Sequence, residues 1–407
     1  MQVPRDLSKR MLEAVDQVPA VDVYERLVPE SKRVNQRVDL LAWLMAYAGA
    51  EIRSLGLKPS ELRLLGNVDA KPDNRWALVA RHWPFLRTTG TGRMVLRVAW
   101  ELFGAEDIDE RTWKDISARL WQETEPGFYQ RLLGERGNVR CVLVDNVVDP
   151  NTKECCVPIK GCDGLLSIGC RSDLESWGSE FESSVLTVDL LDVLVKQFVQ
   201  RGVENGCVSF ALQGLPDASV PSEEEVAWAF GRALRREESP PHADPQLQSH
   251  ILHRLLSCIG ESGVPLQVRA TGEAEIERLA ALAEQYPEVR FVGMCARGND
   301  AFPLSVLGRT LPNVSLALVG LWRIAPYAAQ HALRNWLHSV PLGKVFALGG
   351  NMTMVEAVYI QALVAREQTA LLLAEMVANG GLDEQDALLA MDCVLCKNAL
   401  AYFMDGG

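Results

Sequence analysis

The sequence predicts an α/β protein, a (β/α)8 TIM barrel carrying a helical insertion after its first strand. Three observations lead there. About eight short apolar runs of strand length recur, and helical patterns separate most of them, the alternation of a parallel sheet closed on itself. Between residues 58 and 137 the texture changes: Trp76, Trp83, Trp100, Trp113 and Trp121 punctuate helical stretches with few strand candidates among them. A doubly wound open sheet is the alternative, and no Gly-x-Gly-x-x-Gly follows the first strand to support its dinucleotide-binding form.

The elements follow in order. Residues 6–16 form a short amphipathic helix, and 20–24 suit a first buried strand on which Asp22, Tyr24 and Arg26 share a face. Residues 40–55 carry apolar side chains at helical spacing. Within the insertion, 112–123 and 128–133 are the clearest helices. Strand candidates then resume at 139–145, 165–168, 207–212, 264–269, 289–294, 314–319 and 344–348. The helical patterns between and after them cover 188–201, 223–235, 247–260, 274–286, 328–337 and 355–378. The expected division is 1–57 for the start of the barrel, 58–137 for the insertion subdomain, and 138–407 for the remaining barrel and C-terminal helices.

A chain of 407 residues has ample material for a large core. Its formal charge of -12 argues against nucleic acid or an anionic membrane as a general partner. No charged-then-apolar leader opens the chain, and no apolar run approaches the roughly 20 residues that span a bilayer. Ten cysteines without a secretory signal read as reduced thiols, which points to the cytoplasm. A homo-oligomer stays open.

The stretch Val-Pro-Leu-Gly-Lys-Val-Phe-Ala-Leu-Gly-Gly-Asn, 340–351, organises the reading of function. The run 344–348 is a buried strand, Gly349 and Gly350 let the backbone turn, and Thr353 is placed to cap the next helix. Asn351 then stands just past a strand's carboxyl end, the catalytic rim of an α/β barrel. An amide there can hydrogen-bond but cannot act as a base.

Three blocks together resemble the amidohydrolase superfamily, in particular its uronate isomerase-like branch. They are the first-strand segment 19–27, the run 103–145 with Glu-Asp-Ile-Asp-Glu-Arg-Thr-Trp and Pro-Gly-Phe-Tyr-Gln-Arg-Leu-Leu, and the region 312–403. The resemblance implies a barrel of metal-dependent hydrolase type, in which strand-end histidines and an aspartate hold one or two divalent metals. On that comparison the family's two first-strand histidines fall on Tyr24 and Arg26. In Gln-Val-Arg-Ala-Thr-Gly, 267–272, Arg269 takes a histidine's place, and Asn351 takes the aspartate's. Cys295 stands about where another histidine belongs, and Ala211 about where related members have a lysine.

The chain has six histidines, His82, His242, His250, His253, His331 and His338, and none falls at a predicted strand end. Guanidinium groups repel a divalent ion, so the expectation is that the family-type metal site is lost and that no cofactor is bound. Arg26 and Arg269 can instead receive a carboxylate or phosphate, unless each pairs with a nearby acid such as Asp22, Glu25 or Glu273. Trp322 and Arg323 either face a ligand at the mouth or divide into a packing ring and a solvated cation. The remaining candidates have plain structural readings. Cys155, Cys156, Cys162 and Cys170 are the one cluster that could hold a structural zinc, though their spacing matches no common zinc site; Cys393 and Cys396 sit in an apolar helix; and Cys295, a candidate nucleophile, has no histidine placed to activate it. His250 and His253 share a helix face at i, i+3.

The leading expectation is a catalytically degenerate homologue retained for binding a small anion or sugar acid, or as a partner subunit. The alternative is a metal-independent isomerase, hydrolase or lyase acting on a sugar acid or small carboxylate, with Tyr24, Arg26, Arg269 and Asn351 at the mouth. A metal enzyme with an unfamiliar ligand set is the third.

Overall fold

The computed structural model describes residues 3–404 apart from 123, 239 and 241. Among the described residues nine strands run along the chain: β1 (Ala20–Glu25), β2 (Val139–Val144), β3 (Cys156–Pro158), β4 (Lys160–Gly161), β5 (Phe210–Leu212), β6 (Leu266–Val268), β7 (Phe291–Cys295), β8 (Val314–Leu318) and β9 (Val345–Phe346). Every pairing is parallel, in the orders β1-β2-β3 and β4-β5-β6-β7-β8-β9. Only Ile159 separates β3 from β4. Its amide donates to Val144 O while the next, Lys160 N, turns to Ser209 O, so this one segment serves both sheets and the strands take eight positions. Backbone bonds also run from β1 to the segment after β9: Val23 N donates to Leu348 O at 2.9 Å, and Gly350 N to Tyr24 O at 3.0 Å. The architecture is a (β/α)8 barrel.

Inside, alternate side chains meet as a strand's two-residue period requires. Val21, Val23, Leu143, Val292, Met294 and Phe346 belong to one buried cluster, which continues into Cys396, Ala399 and Phe403 of the C-terminal helices. Those helices close the barrel below: Asn398 donates to Leu342 O and Val345 O, and Tyr402 OH donates to Phe291 O, all where strands begin. The carboxyl ends of the strands are therefore left for a site.

The helices confirm the periodicity with small shifts at their ends. Ser222 and Glu225 form a capping box that starts Glu223–Arg235, and Thr187 caps Val188–Glu204. Between β1 and β2 the described residues hold only helices, including Leu40–Ser54, Pro59–Gly66, Pro72–Ala80, Gly90–Phe103 and Thr112–Gln122. Buried ion pairs anchor them: Arg75 grips Asp39, with Nη2 to Oδ1 at 2.9 Å, and Arg33 pairs with Glu356 at the start of Val355–Ala378.

Three local expectations are corrected. The apolar run 165–168 is not a strand; it falls on the short helix Asp163–Leu166 and the turn after it, and β3 with β4 supplies that position in the barrel. The helix expected over 128–133 is present, but from Gln130 to Arg136 it is a π-helix rather than an α-helix. Thr353 does not cap the last long helix: its N-cap residue is Met354, and Tyr47 OH receives Met354 N at 2.9 Å.

Candidate site at the barrel mouth

Tyr24 occupies the end of β1, where the pairing register with β2 shifts between Asp22 and Glu25. Its hydroxyl donates to Asp145 Oδ2 at 3.0 Å and accepts from Gln213 Nε2 at 2.7 Å. Asp145 follows β2 directly, and its other oxygen accepts Gly161 N at 2.8 Å. Gln213 follows β5, and its backbone amide donates to Asp163 Oδ1 at 2.9 Å. Residues just past β2 and β5 thus meet on one phenol at the end of β1, with Gly161 and Asp163 holding them from behind.

The electrostatics keep that phenol neutral. Burial, then the Asp145 carboxylate and its hydrogen bond, push the Tyr24 pKa far up, with Arg26 pulling weakly the other way. Burial also raises the Asp163 carboxyl. Below this layer Gln267 of β6 reaches across the interior and donates Nε2 to Val23 O at 2.9 Å. Its Oε1 is buried without a partner, and so is Asn351 Oδ1.

Arg26 is exposed, with its backbone amide on Met352 O, and Arg269 is half-buried beside β5, with its amide on Leu212 O. Among the described residues no carboxylate lies within 4.0 Å of either guanidinium. The alternative in which Asp22, Glu25 or Glu273 neutralises them is therefore not what the side chains do. Asp22 and Glu25 are fully buried and face each other instead.

Asn351 adopts a left-handed backbone at φ 57°, while Gly349 and Gly350 do not. The turn is thus made by the asparagine, a residue that tolerates this region. The glycines serve close approach: a Cβ on Gly349 would stand 2.9 Å from Val319 Cγ2, and one on Gly350 would collide with Glu25. Trp322 is buried and donates Nε1 to Ala347 O at 2.7 Å. Arg323 donates to Tyr47 O at 3.2 Å and is partly desolvated, which lowers its pKa. Both line a cleft of about 600 Å³ with Arg93, Arg97 and Gln361, and Arg323 is not the solvated cation of the packing alternative.

The other candidates separate. His250 bonds Asp192 at 2.7 Å, and His253 bonds Tyr286 OH at 2.7 Å, both on an outer helix. Cys295 is a buried thiol pushed up to about 12 by desolvation, with its sulfur toward Arg297 O. Cys155 and Cys156 lie 3.9 Å apart, whereas Cys162 turns to Lys160 O and Cys170 to Ser172. Among the described residues no three His, Cys, Asp or Glu side chains gather as a metal site, and no helix is long and apolar enough to cross a membrane. The sequence reading missed Asp145, Asp163, Gln213 and Gln267; the first three share the signal of a polar residue just past the end of a strand, and Gln267 is a polar residue inside a buried one.

The barrel is an architecture that uronate isomerases also have. The chain is similar in structure to the uronate isomerase of Thermotoga maritima, with TM-score 0.83 and 16% identity, over 99% of this chain and 98% of that one. The glucuronate isomerase of Caulobacter crescentus gives 0.81 and 14%, covering 98% and 94%. A uronate isomerase from Bacillus halodurans gives 0.73 and 15%, covering 99% and 97%. These likenesses are of fold. No family model and no curated protein matches the sequence.

Proposed function

We propose that this chain is a uronate isomerase-like barrel that has given up the family-type metal site and keeps its mouth for a small sugar acid. The observation that carries the proposal is the pair of guanidinium groups, Arg26 and Arg269, standing at strand ends with no carboxylate within 4.0 Å among the described residues. A guanidinium can accept a carboxylate in a forked geometry without help from a metal. The unpartnered oxygens of Gln267 and Asn351 suit the hydroxyl donors of a sugar. The donor set does not suit a divalent cation. Arginines replace two ligands, Tyr24 OH is held neutral, and an amide oxygen replaces the carboxylate.

A second reading keeps an enzyme of the same substrate class, without a metal. It rests on the raised Asp163 carboxyl beside the Tyr24–Asp145 hydrogen bond, a proton donor next to a fixed acceptor at the mouth. One set of measurements separates the readings. Glucuronate, galacturonate and phosphate are titrated calorimetrically into the protein and into Arg269→Ala, and the uronates are then followed for turnover. Uronate binding that Arg269→Ala removes, without turnover, supports the binding protein. Turnover supports the enzyme, and no anion binding sinks both.

A further inference from the structure

Between β2 and β3 the barrel has no α-helix. With β3 and β4 counted as one position, each next strand elsewhere along the ring is reached through at least one, but residues 145–155 make this connection with a single 3-10 turn, Pro150–Thr152. The missing helix leaves a cleft of about 850 Å³ between that connection, β3 with β4, and the helix Val188–Glu204. Val147, Val148, Val157 and Pro158 give it an apolar wall, and Val147 is 71% exposed on its rim.

Cations edge this apolar wall. Lys160 Nζ lies 5.2 Å from the centre of the Phe198 ring, and the Arg201 guanidinium 4.3 Å from that of Phe181. Arg201 is also held by Glu180 O at 2.8 Å. Phe198 and Arg201 are three apart on one helix, so the helix period sets ring and cation on the same face. Lys153 lines the cleft as a third cation. Among the described residues none of the three has a carboxylate within 4.0 Å, in a chain whose formal charge is -12. Two acids, Asp145 and Glu180, also line the cleft, but both Asp145 oxygens are engaged by Tyr24 OH and Gly161 N.

We propose that this cleft binds a small organic anion with a compact apolar body, in chemical class an aryl carboxylate. The body packs on the valines and Pro158 and the carboxylate reaches Lys160 and Arg201, whose positions the phenylalanine rings fix in advance. The proposal does not rest on what binds at the mouth, although the two sites share one residue. Asp145 touches both, bonded to Tyr24 on one side and lining the cleft on the other.

The test uses 8-anilinonaphthalene-1-sulfonate as a fluorescent probe on the folded full chain, with benzoate and glucuronate as competitors. One probe molecule should bind per chain, benzoate should displace it and glucuronate should not. Lys160→Ala and Arg201→Ala should each weaken the probe about tenfold, the loss of one charge-assisted contact, with Arg269→Ala without effect. A cooperative thermal transition in each variant excludes probe binding to a loosened core. If Arg201→Ala lacks that transition, Lys153→Ala and Lys160→Gln supply the result. No probe binding, binding indifferent to the cleft lysines, or binding lost in Arg269→Ala and competed by glucuronate overturns the proposal.

Discussion

Gly350 and Glu25 interlock at the seam between the first and last strands: a Cβ at position 350 would stand 1.7 Å from Glu25 Oε1. The Glu25 carboxyl is buried there, with its other oxygen accepting Met352 N, so it has little room to retreat. Gln361 Nε2 crowds the same Cβ at 2.9 Å. Gly350→Ala should therefore destabilise the fold by roughly 2–3 kcal/mol, the cost of overpacking plus a displaced buried carboxyl. Urea unfolding measures it, and a change below about 0.5 kcal/mol would show that the seam has slack.

This seam also marks how far the sequence can be read. The alternation of apolar runs and helical periods was legible because each element announces itself locally, as Ser222 and Glu225 do at Glu223–Arg235. The third barrel position was not. Its strand residues include Pro158, Lys160 and Gly161, which lack the look of a buried strand, while the more apolar Leu165 and Leu166 nearby belong to a helix. At the mouth, Tyr24, Arg26, Arg269 and Asn351 could be placed by comparison with a motif. The bonds from Tyr24 to Asp145 and Gln213 span 121 and 189 residues, and no local pattern encodes a partner at that distance. Nor does composition show whether Arg26 finds an acid, since that depends on Asp22 and Glu25 turning to each other.

That mutual orientation predicts a pH dependence. Burial raises the Asp22 pKa to about 6, and burial followed by repulsion from Asp22 pushes Glu25 well above its ordinary value. The unpartnered oxygens are Asp22 Oδ2 and Glu25 Oε1, which one shared proton satisfies. Arg323 and Tyr47 are the other ionisable groups acting on Glu25, and Arg323 favours its charge. Folded pKa values above the unfolded ones mean that the native state holds more protons. The contribution to stability is then fully present below the ordinary carboxylate pKa of about 4 and is lost as pH rises through about 6 and beyond. Asp22→Asn should flatten the fall in unfolding free energy from pH 5 to 7.5, and equal slopes in the two proteins would move the effect elsewhere.

Tyr47 predicts a smaller loss. Its hydroxyl accepts Met354 N at 2.9 Å and approaches Thr353 Oγ1 at 3.5 Å, doing the work of a cap for Val355–Ala378, which lacks a side-chain N-cap bond of its own. Tyr47→Phe leaves the ring in place against Trp43 and removes only the oxygen. Stability should fall by about 1 kcal/mol in urea unfolding, as for a lost cap. An unchanged midpoint would mean that water replaces the hydroxyl at no cost.

Asn351 offers a test of whether the mouth, on the proposed reading, can take up metal chemistry. Its φ of 57° is a conformation that Asn and Asp both tolerate, so Asn351→Asp should fold with stability within about 0.5 kcal/mol of the parent. Asn351→Ala at the same φ should lose about 1 kcal/mol, which separates backbone strain from charge. The single aspartate supplies one anionic oxygen, but on the proposed reading Arg26 and Arg269 stand where two further ligands would, and Tyr24 OH remains bonded on both sides. Asn351→Asp supplemented with zinc or manganese should therefore show no turnover of uronates. The new carboxylate should compete instead for the arginines, weakening uronate binding by more than about 1 kcal/mol. Calorimetry on the two variants reads that change directly. Metal-dependent turnover from Asn351→Asp alone would mean that the remaining ligands are present after all, supplied by groups such as Asp145 and Asp163 that gather on the Tyr24 side of the mouth.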